Sequence, residues 1–571
     1  MKTLRRLGPV LGLGMAVLLG GCGGSGGVDD PEVRQTTYGA VQGQSHAASG
    51  TLSWKGVPFA QPPVGALRWK APQEPMPWSG TRTAQKFGNA CLQNGRIYGP
   101  GANNTYDGTI ATTLNTPVGS EDCLTLNIWR PSTEADGAKL PVIVFIYGGS
   151  NISGYTADPV YDGAALAKAA NAVVVTTNYR LGVLGFLNLP QLKTGSNAAE
   201  DSGNFALLDI LQALKFVKAN IGSFGGDAAN VTLMGQSAGA INILALLASP
   251  SATGLFHKMV PISGGISLAS NLPAGMIPTL NPASAYLAHG NGLLAHLLVA
   301  DGKAVDLAAA QAYIASQTPQ AMADYLRAKD AKTVLSTVLA KGLNSSGPIP
   351  DGTLVPLDPI ATMAAGRHNK VPMLVGTTAD EGKLFAPLFT LLGGKPGHKI
   401  GDAQRFDMMA AFNPDAPTAL TVDDIIDPSY LPVAAPGTGY NAKAALLGNV
   451  FITPSRDNLL NTLRTQQSNV WYYQFHWARQ PAPWADVYGA AHAFDLPFLF
   501  GNFGPSVFAN ATNSAANRPG RLALSGAMMA SLAAFARTGD PNSAALGVSW
   551  QPWPKQLRMD ATLTQAALSA P

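Results

Sequence analysis

Ser237 sits in Gly235-Gln236-Ser237-Ala238-Gly239, with glycine two residues away on either side. The apolar run 231–234 precedes this pentapeptide, and a good helix former, 240–248, follows it. Strand, tight turn and helix in that order push a serine hydroxyl into the open, because flanking glycines let the chain bend without Cβ clashes. The helix then turns its partial positive N-terminus toward any oxyanion formed by serine attack on a carbonyl. Such an oxyanion needs preorganised N–H donors. Tyr147-Gly148-Gly149-Ser150-Asn151, where another apolar run ends, is placed to supply them. The plainer alternative for that segment is a glycine turn leaving a strand.

Several elements must position these groups. Residues 140–147 form a nearly continuous β-branched and aromatic run, the pattern of a strand buried on both faces. Residues 172–177, 231–234 and 373–375 look similar, and 470–477 is a further strand candidate. Between them lie helical patterns such as 204–219, where Phe205, Leu208, Leu211 and Leu214 recur at helical spacing. The alternation predicts an α/β fold with an open, mostly parallel sheet and helices on both faces. The Ala-rich stretch 304–343 reads as helices inserted over that sheet. No internal repeat appears, and one large domain over 38–571 is expected.

Composition agrees. The chain has 571 residues, 46% of them hydrophobic and 13% charged, which suits a large buried core. A net charge of +4 without internal basic runs gives no reason to expect a nucleic-acid partner. At the N-terminus, Lys2, Arg5 and Arg6 precede an apolar stretch, 9–21, too short to span a bilayer. It ends in Leu19-Gly20-Gly21-Cys22, which resembles a bacterial lipobox, with a Gly/Ser-rich tether expected over 23–37. A lipid on Cys22 would hold the protein at a membrane surface after export; an ordinary signal peptide with a chance cysteine is the alternative. Cys91 and Cys123 then remain. In an oxidising compartment a disulfide is their natural use, and two buried free thiols are the alternative.

Taken together, the motifs resemble the type B carboxylesterases, the family that includes the cholinesterases, on the α/β-hydrolase fold. Val57-Pro-Phe-Ala-Gln-Pro-Pro-Val-Gly65 is similar to the family's opening, and Glu121-Asp-Cys-Leu-Thr-Leu-Asn127 to its second signature. Asn178-Tyr-Arg-Leu-Gly182, Phe224-Gly-Gly-Asp227 and Phe535-Ala-Arg-Thr-Gly539 follow in family order. The resemblance implies Ser237 as nucleophile, Glu381 as triad acid and His492 as base. It also implies backbone donors at Gly149, Ser150 and Ala238, a Cys91–Cys123 disulfide, and ion pairs Arg68–Glu121 and Arg180–Asp209. The activity implied is hydrolysis of carboxylic esters through an acyl-enzyme, with no metal or cofactor.

The residues themselves narrow the same choices. His398, His476 and His492 lie beyond Glu381. His476 belongs to a strand-like run, and His398 to a Gly/Pro-rich stretch expected to be exposed. His492 follows a Gly/Ala loop of the flexible kind that often seats catalytic groups. Asp380 adjoins Glu381 and remains its rival as the acid. Three positions depart from the family pattern: Ser150 ends the usual glycine run, Gln236 replaces a glutamate, and Ala493 replaces a glycine. Between the cysteines, where cholinesterases hold a quaternary ammonium with tryptophan, this chain has Tyr98 and Tyr106. A neutral, rather apolar ester is therefore expected. An amide or carbamate substrate, or a non-catalytic adhesion protein on the same fold, are the alternatives.

Overall fold

A computed structural model describes residues 30–343 and 346–571. Cys22 and the leader expected over 1–22 lie outside the described residues. Eleven strands form the central sheet. In chain order they are β1 (Gln44–His46), β2 (Thr51–Pro58), β3 (Thr125–Pro131), β4 (Leu140–Ile146), β5 (Val173–Thr177) and β6 (Gly226–Gln236). They continue as β7 (Lys258–Ile262), β8 (Met373–Thr378), β9 (Val470–Phe475), β10 (Leu557–Ala561) and β11 (Ala566–Ser569). Across the sheet the order is β11-β10-β9-β8-β7-β6-β4-β5-β3-β2-β1. Every pairing from β10 through β5 is parallel, and both margins are antiparallel. The apolar-rich runs are the central strands: every residue of β4, β5, β7 and β8 is buried, as helices on both faces require.

Helix α1 (Phe205–Asn220) occupies the predicted span within a residue and is buried along almost its whole length. The helix after Ser237 is α2 (Ala238–Ala248), equally buried. Beyond α3 (Ala283–Ala300), the Ala-rich stretch resolves into α4 (Leu307–Ser316), α5 (Pro319–Arg327) and α6 (Ala331–Lys341). Local capping sets the starts: Asp306, Thr318 and Asp330 each accept a backbone N–H three residues on. Their apolar faces join the same hydrophobic core as the sheet. Helices α7 (Tyr440–Arg464) and α8 (Arg518–Thr538) complete the layers.

Three ties expected from the resemblance are present. Cys91 and Cys123 are joined by a disulfide. Arg68 grips Glu121 through two bonds of 2.6 and 2.7 Å and adds a bond to Lys329 O, fastening the end of α5. Arg180 and Asp209 pair at 2.7 and 2.8 Å inside the core. One boundary needs correcting. Of the tether expected over 23–37, residues 23–29 lie outside the described residues, and Val33–Thr36 is a strand that pairs antiparallel with Gly39–Gln42. Among the described residues no helix is long and apolar enough to cross a membrane.

Candidate active site

Ser237 lies where β6 turns into α2, with φ +54° and ψ −122°, a backbone conformation that side chains rarely adopt. The turn is held by Ser237 N donating to Ile262 O and Ser237 O accepting from Ile241 N, at 2.8 and 3.0 Å. Its glycines are required by proximity. A Cβ on Gly235 would stand 2.6 Å from Gly239 O, and one on Gly239 2.2 Å from Ile146 O. Only bare backbone lets α2 start this close to β4.

Beyond β4 the chain passes Gly149 at φ +107°, then Ser150 and Asn151 at +56° and +57°. The backbone N–H groups of Gly149, Ser150 and Ala238 have no hydrogen-bond partner among the described residues. Three uncommitted donors near Ser237 are what an oxyanion site requires. The loop carrying two of them is fastened from below. Asn151 and Asn242 exchange amide bonds of 2.8 and 3.2 Å, tying the loop to α2. Gln93, two residues past the disulfide, accepts from Gly154 N at 2.8 Å and donates to Gly154 O at 2.9 Å. These fastenings escaped the sequence reading. A polar Asn242 amid the apolar residues of α2 was the available signal.

Glu381 follows β8 and His492 a loop beyond β9. His492 Nδ1 stands 2.5 Å from Glu381 Oε2, both side chains buried. Glu381 Oε1 accepts from Ser263 Oγ at 2.7 Å and from Thr378 N at 2.8 Å. Burial opposes ionisation of this carboxyl. The adjacent imidazole and the three hydrogen bonds outweigh it and hold Glu381 below the usual carboxylate range. Ser263 also went unread in the sequence, since nothing local to it announces a carboxylate partner. The Phe385 ring packs on the imidazole with centroids 4.8 Å apart.

Asp380, the rival acid, does other work. Its carboxylate accepts from Ala490 N at 3.0 Å, and its own N–H donates to Ala490 O at 2.9 Å. The Gly/Ala loop before His492 is therefore pinned and buried rather than flexible. His398, expected to be exposed, is buried, with Tyr440 on Nε2 and Arg405 on Nδ1, each at 3.0 Å. Burial first and the Arg405 charge second lower its pKa to about 3, which leaves it neutral and structural. His476 bonds Gln474 and lies at the sheet, as its strand-like surroundings suggested.

Ser237, His492, Gly149 and Ser150 line one cavity of about 410 Å³. Tyr98, Tyr106, Trp477, Phe494 and Phe508 give it aromatic walls, and Tyr98 stacks on Phe508 at 5.6 Å. The Ser237 hydroxyl makes no hydrogen bond to the imidazole; the side-chain amide of Gln236 meets His492 Nε2 instead, at 3.0 Å. Among the described residues no group of three His, Cys, Asp or Glu side chains is arranged to hold a metal.

The model of the family described as "Carboxylesterase family" matches residues 30–567. Para-nitrobenzyl esterase of Bacillus subtilis (strain 168) is 31% identical over 92% of this chain and 94% of its own length. Fumonisin B1 esterase of Sphingopyxis macrogoltabida is 34% identical over 84% of this chain and 76% of its own. Among solved structures, a PNB esterase superposes with a TM-score of 0.69 at 26% identity, covering 95% of this chain and 97% of that one. A Geobacillus stearothermophilus carboxylesterase gives 0.67 at 29% identity over 94% and 98%. The chain belongs to the carboxylesterase family: it has the α/β-hydrolase fold and is a serine hydrolase of carboxylic esters.

Proposed function

We propose that Ser237 is the nucleophile, His492 the general base and Glu381 the acid that orients and stabilises it. One observation carries this reading: a serine on a strained elbow, the imidazole of a His–Glu pair at 2.5 Å, and Gly149 and Ser150 with their free backbone donors line a single cavity. Neutral His492 takes the Ser237 proton as Oγ bonds to the ester carbonyl carbon. The N–H groups of Gly149, Ser150 and Ala238 hold the oxyanion. Collapse breaks the carbon–oxygen bond to the alcohol, which leaves with the proton from His492. Water then attacks the acyl-enzyme, giving up a proton to His492, and Ser237 is released protonated with the carboxylic acid. A fluorophosphonate probe tests the assignment. It should label one peptide, at Ser237, and labelling elsewhere would remove the nucleophile proposed here.

The preferred substrate in this reading is a neutral, fairly apolar ester. Aromatic walls support it, as does the uncharged Gln236 beside the nucleophile. Arg405, also at the cavity, is engaged by Asp402 at 2.5 Å. A second reading comes from Asp158. This carboxyl lines the same cavity, accepts one bond from Val160 N at 3.0 Å and has no cationic partner among the described residues. Burial raises its pKa to about 6, so it is largely ionised at neutral pH and suited to an ester carrying a protonated amine. Matched neutral and ammonium esters, compared by kcat/KM in wild type and Asp158→Asn, separate the two. The same panel, extended to an amide and a carbamate, settles the leaving group.

For location, the reading is a bacterial lipoprotein, acylated on Cys22 and held at a membrane surface on the exported side. The basic start, the short apolar run, the small residues before Cys22 and the Gly/Ser stretch after it support this. Incorporation of labelled palmitate in wild type but not in Cys22→Ala tests it.

A further inference from the structure

A neutral imidazole offers one lone pair, and a general base needs that lone pair on the nitrogen facing the serine. In this protein side chains meet both ring nitrogens. Nδ1 faces Glu381 Oε2 at 2.5 Å, and Nε2 faces the amide nitrogen of Gln236 at 3.0 Å. A carboxylate only accepts, so Nδ1 carries the hydrogen. An amide nitrogen only donates, so Nε2 accepts. The two contacts specify the same tautomer from opposite ends of the ring. The amide carbonyl oxygen points the other way, toward the Gly148 backbone, where a Cβ would stand 2.6 Å from it.

We infer that Gln236 is a positioning residue: its amide N–H keeps His492 Nε2 an acceptor in the resting enzyme and yields that place to the Ser237 hydroxyl during attack. The inference rests on the triad reading above. Gln236 ends β6, is buried, and adjoins Ser237, so the two donors that compete for one lone pair are fixed by consecutive residues. The other ionisable groups nearest the ring are carboxyls. Glu381 contacts it directly, and Asp495, three residues along and wholly buried, interacts with both Glu381 and His492. Asp380, paired with Lys383 at 3.8 Å, acts one step away through Ala490. Gln236 is the uncharged hydrogen-bond donor among them, and it meets Nε2. A carboxylate at this position would be another acceptor and would ask Nε2 to carry a proton.

The test compares wild type, Gln236→Glu and Gln236→Met with a neutral aryl ester, following kcat/KM against pH. The acid limb should move up by about one pH unit or more in Gln236→Glu, a roughly ten-fold deficit concentrated at low pH, and by less in Gln236→Met. In parallel, the low-field proton signal of His492 Nδ1–H is titrated in the Ser237→Ala background with and without Gln236→Glu. This readout needs no turnover, so it stands even if the nucleophile is wrongly assigned. A ring that titrates later in Gln236→Glu supports the inference. An unmoved ring, or a loss of activity uniform across pH, overturns it.

Discussion

Ser263 and His492 bind opposite ends of one carboxylate: the Ser263 hydroxyl donates to Glu381 Oε1 at 2.7 Å, and His492 Nδ1 meets Oε2 at 2.5 Å. Because burial works against ionisation of Glu381, each bond to it helps keep the acid charged and the ring oriented. Ser263→Ala removes one such bond, of a kind worth about 1.5–3 kcal/mol when the acceptor is charged. Only part of that reaches the transition state. The expected outcome is a fall in kcat of about ten-fold with KM little changed, measured by steady-state kinetics on an aryl ester.

Ala493 stands at φ +71°, where the family pattern has glycine. A Cβ in left-handed backbone costs roughly 1–2 kcal/mol, partly offset by the lower entropy of the unfolded alanine chain. Ala493→Gly is therefore expected to raise the midpoint of thermal unfolding slightly. A fall would mean that contacts of the Ala493 methyl outweigh the backbone strain.

Asp495 is wholly buried and accepts from Tyr473 Oη at 2.9 Å. Burial above all, with Glu381 adding to it against the Tyr473 bond, raises its pKa to about 7. In the unfolded chain it titrates near 4. The folded protein thus holds a proton that the unfolded chain has released. The resulting stability is complete below about pH 4 and is lost as pH rises through about 7. Asp495→Asn should flatten the decline of Tm between about pH 4 and 7. If the wild-type slope persists in the variant, another group is responsible.

Arg180 and Asp209 are a core pair, closed by bonds of 2.7 and 2.8 Å. Arg180→Met strands the Asp209 carboxyl in the core, and the expected cost is about 3–5 kcal/mol, read from denaturant unfolding. The double variant Arg180→Met with Asp209→Leu should recover much of this loss.

How far the sequence spoke depended on how far apart the partners lie. The elbow was legible because Gly235, Ser237 and Gly239 act within one turn, and the buried strands because β-branched runs have no other use. Glu381 and His492 are 111 residues apart, and no local pattern joins them. Only the resemblance implies that they pair; Asp380, the other carboxylate there, bonds Ala490. Ser263, the Asn151–Asn242 pair and the Gln236–His492 contact arise only when chain segments meet in space. His398 misled because a Gly/Pro-rich stretch signals irregular backbone without saying what covers it; here Tyr440 and Arg405 do. The strand Val33–Thr36 was hidden by the polar, glycine-rich composition just upstream.

In the proposed mechanism the hydroxyl on the β6–α2 elbow performs the chemistry. The most direct measurement is the turnover of Ser237→Ala on a simple aryl ester, with folding checked by an unchanged melting curve. A loss of about 10⁴-fold or more in kcat is expected. Activity within ten-fold of wild type would contradict it.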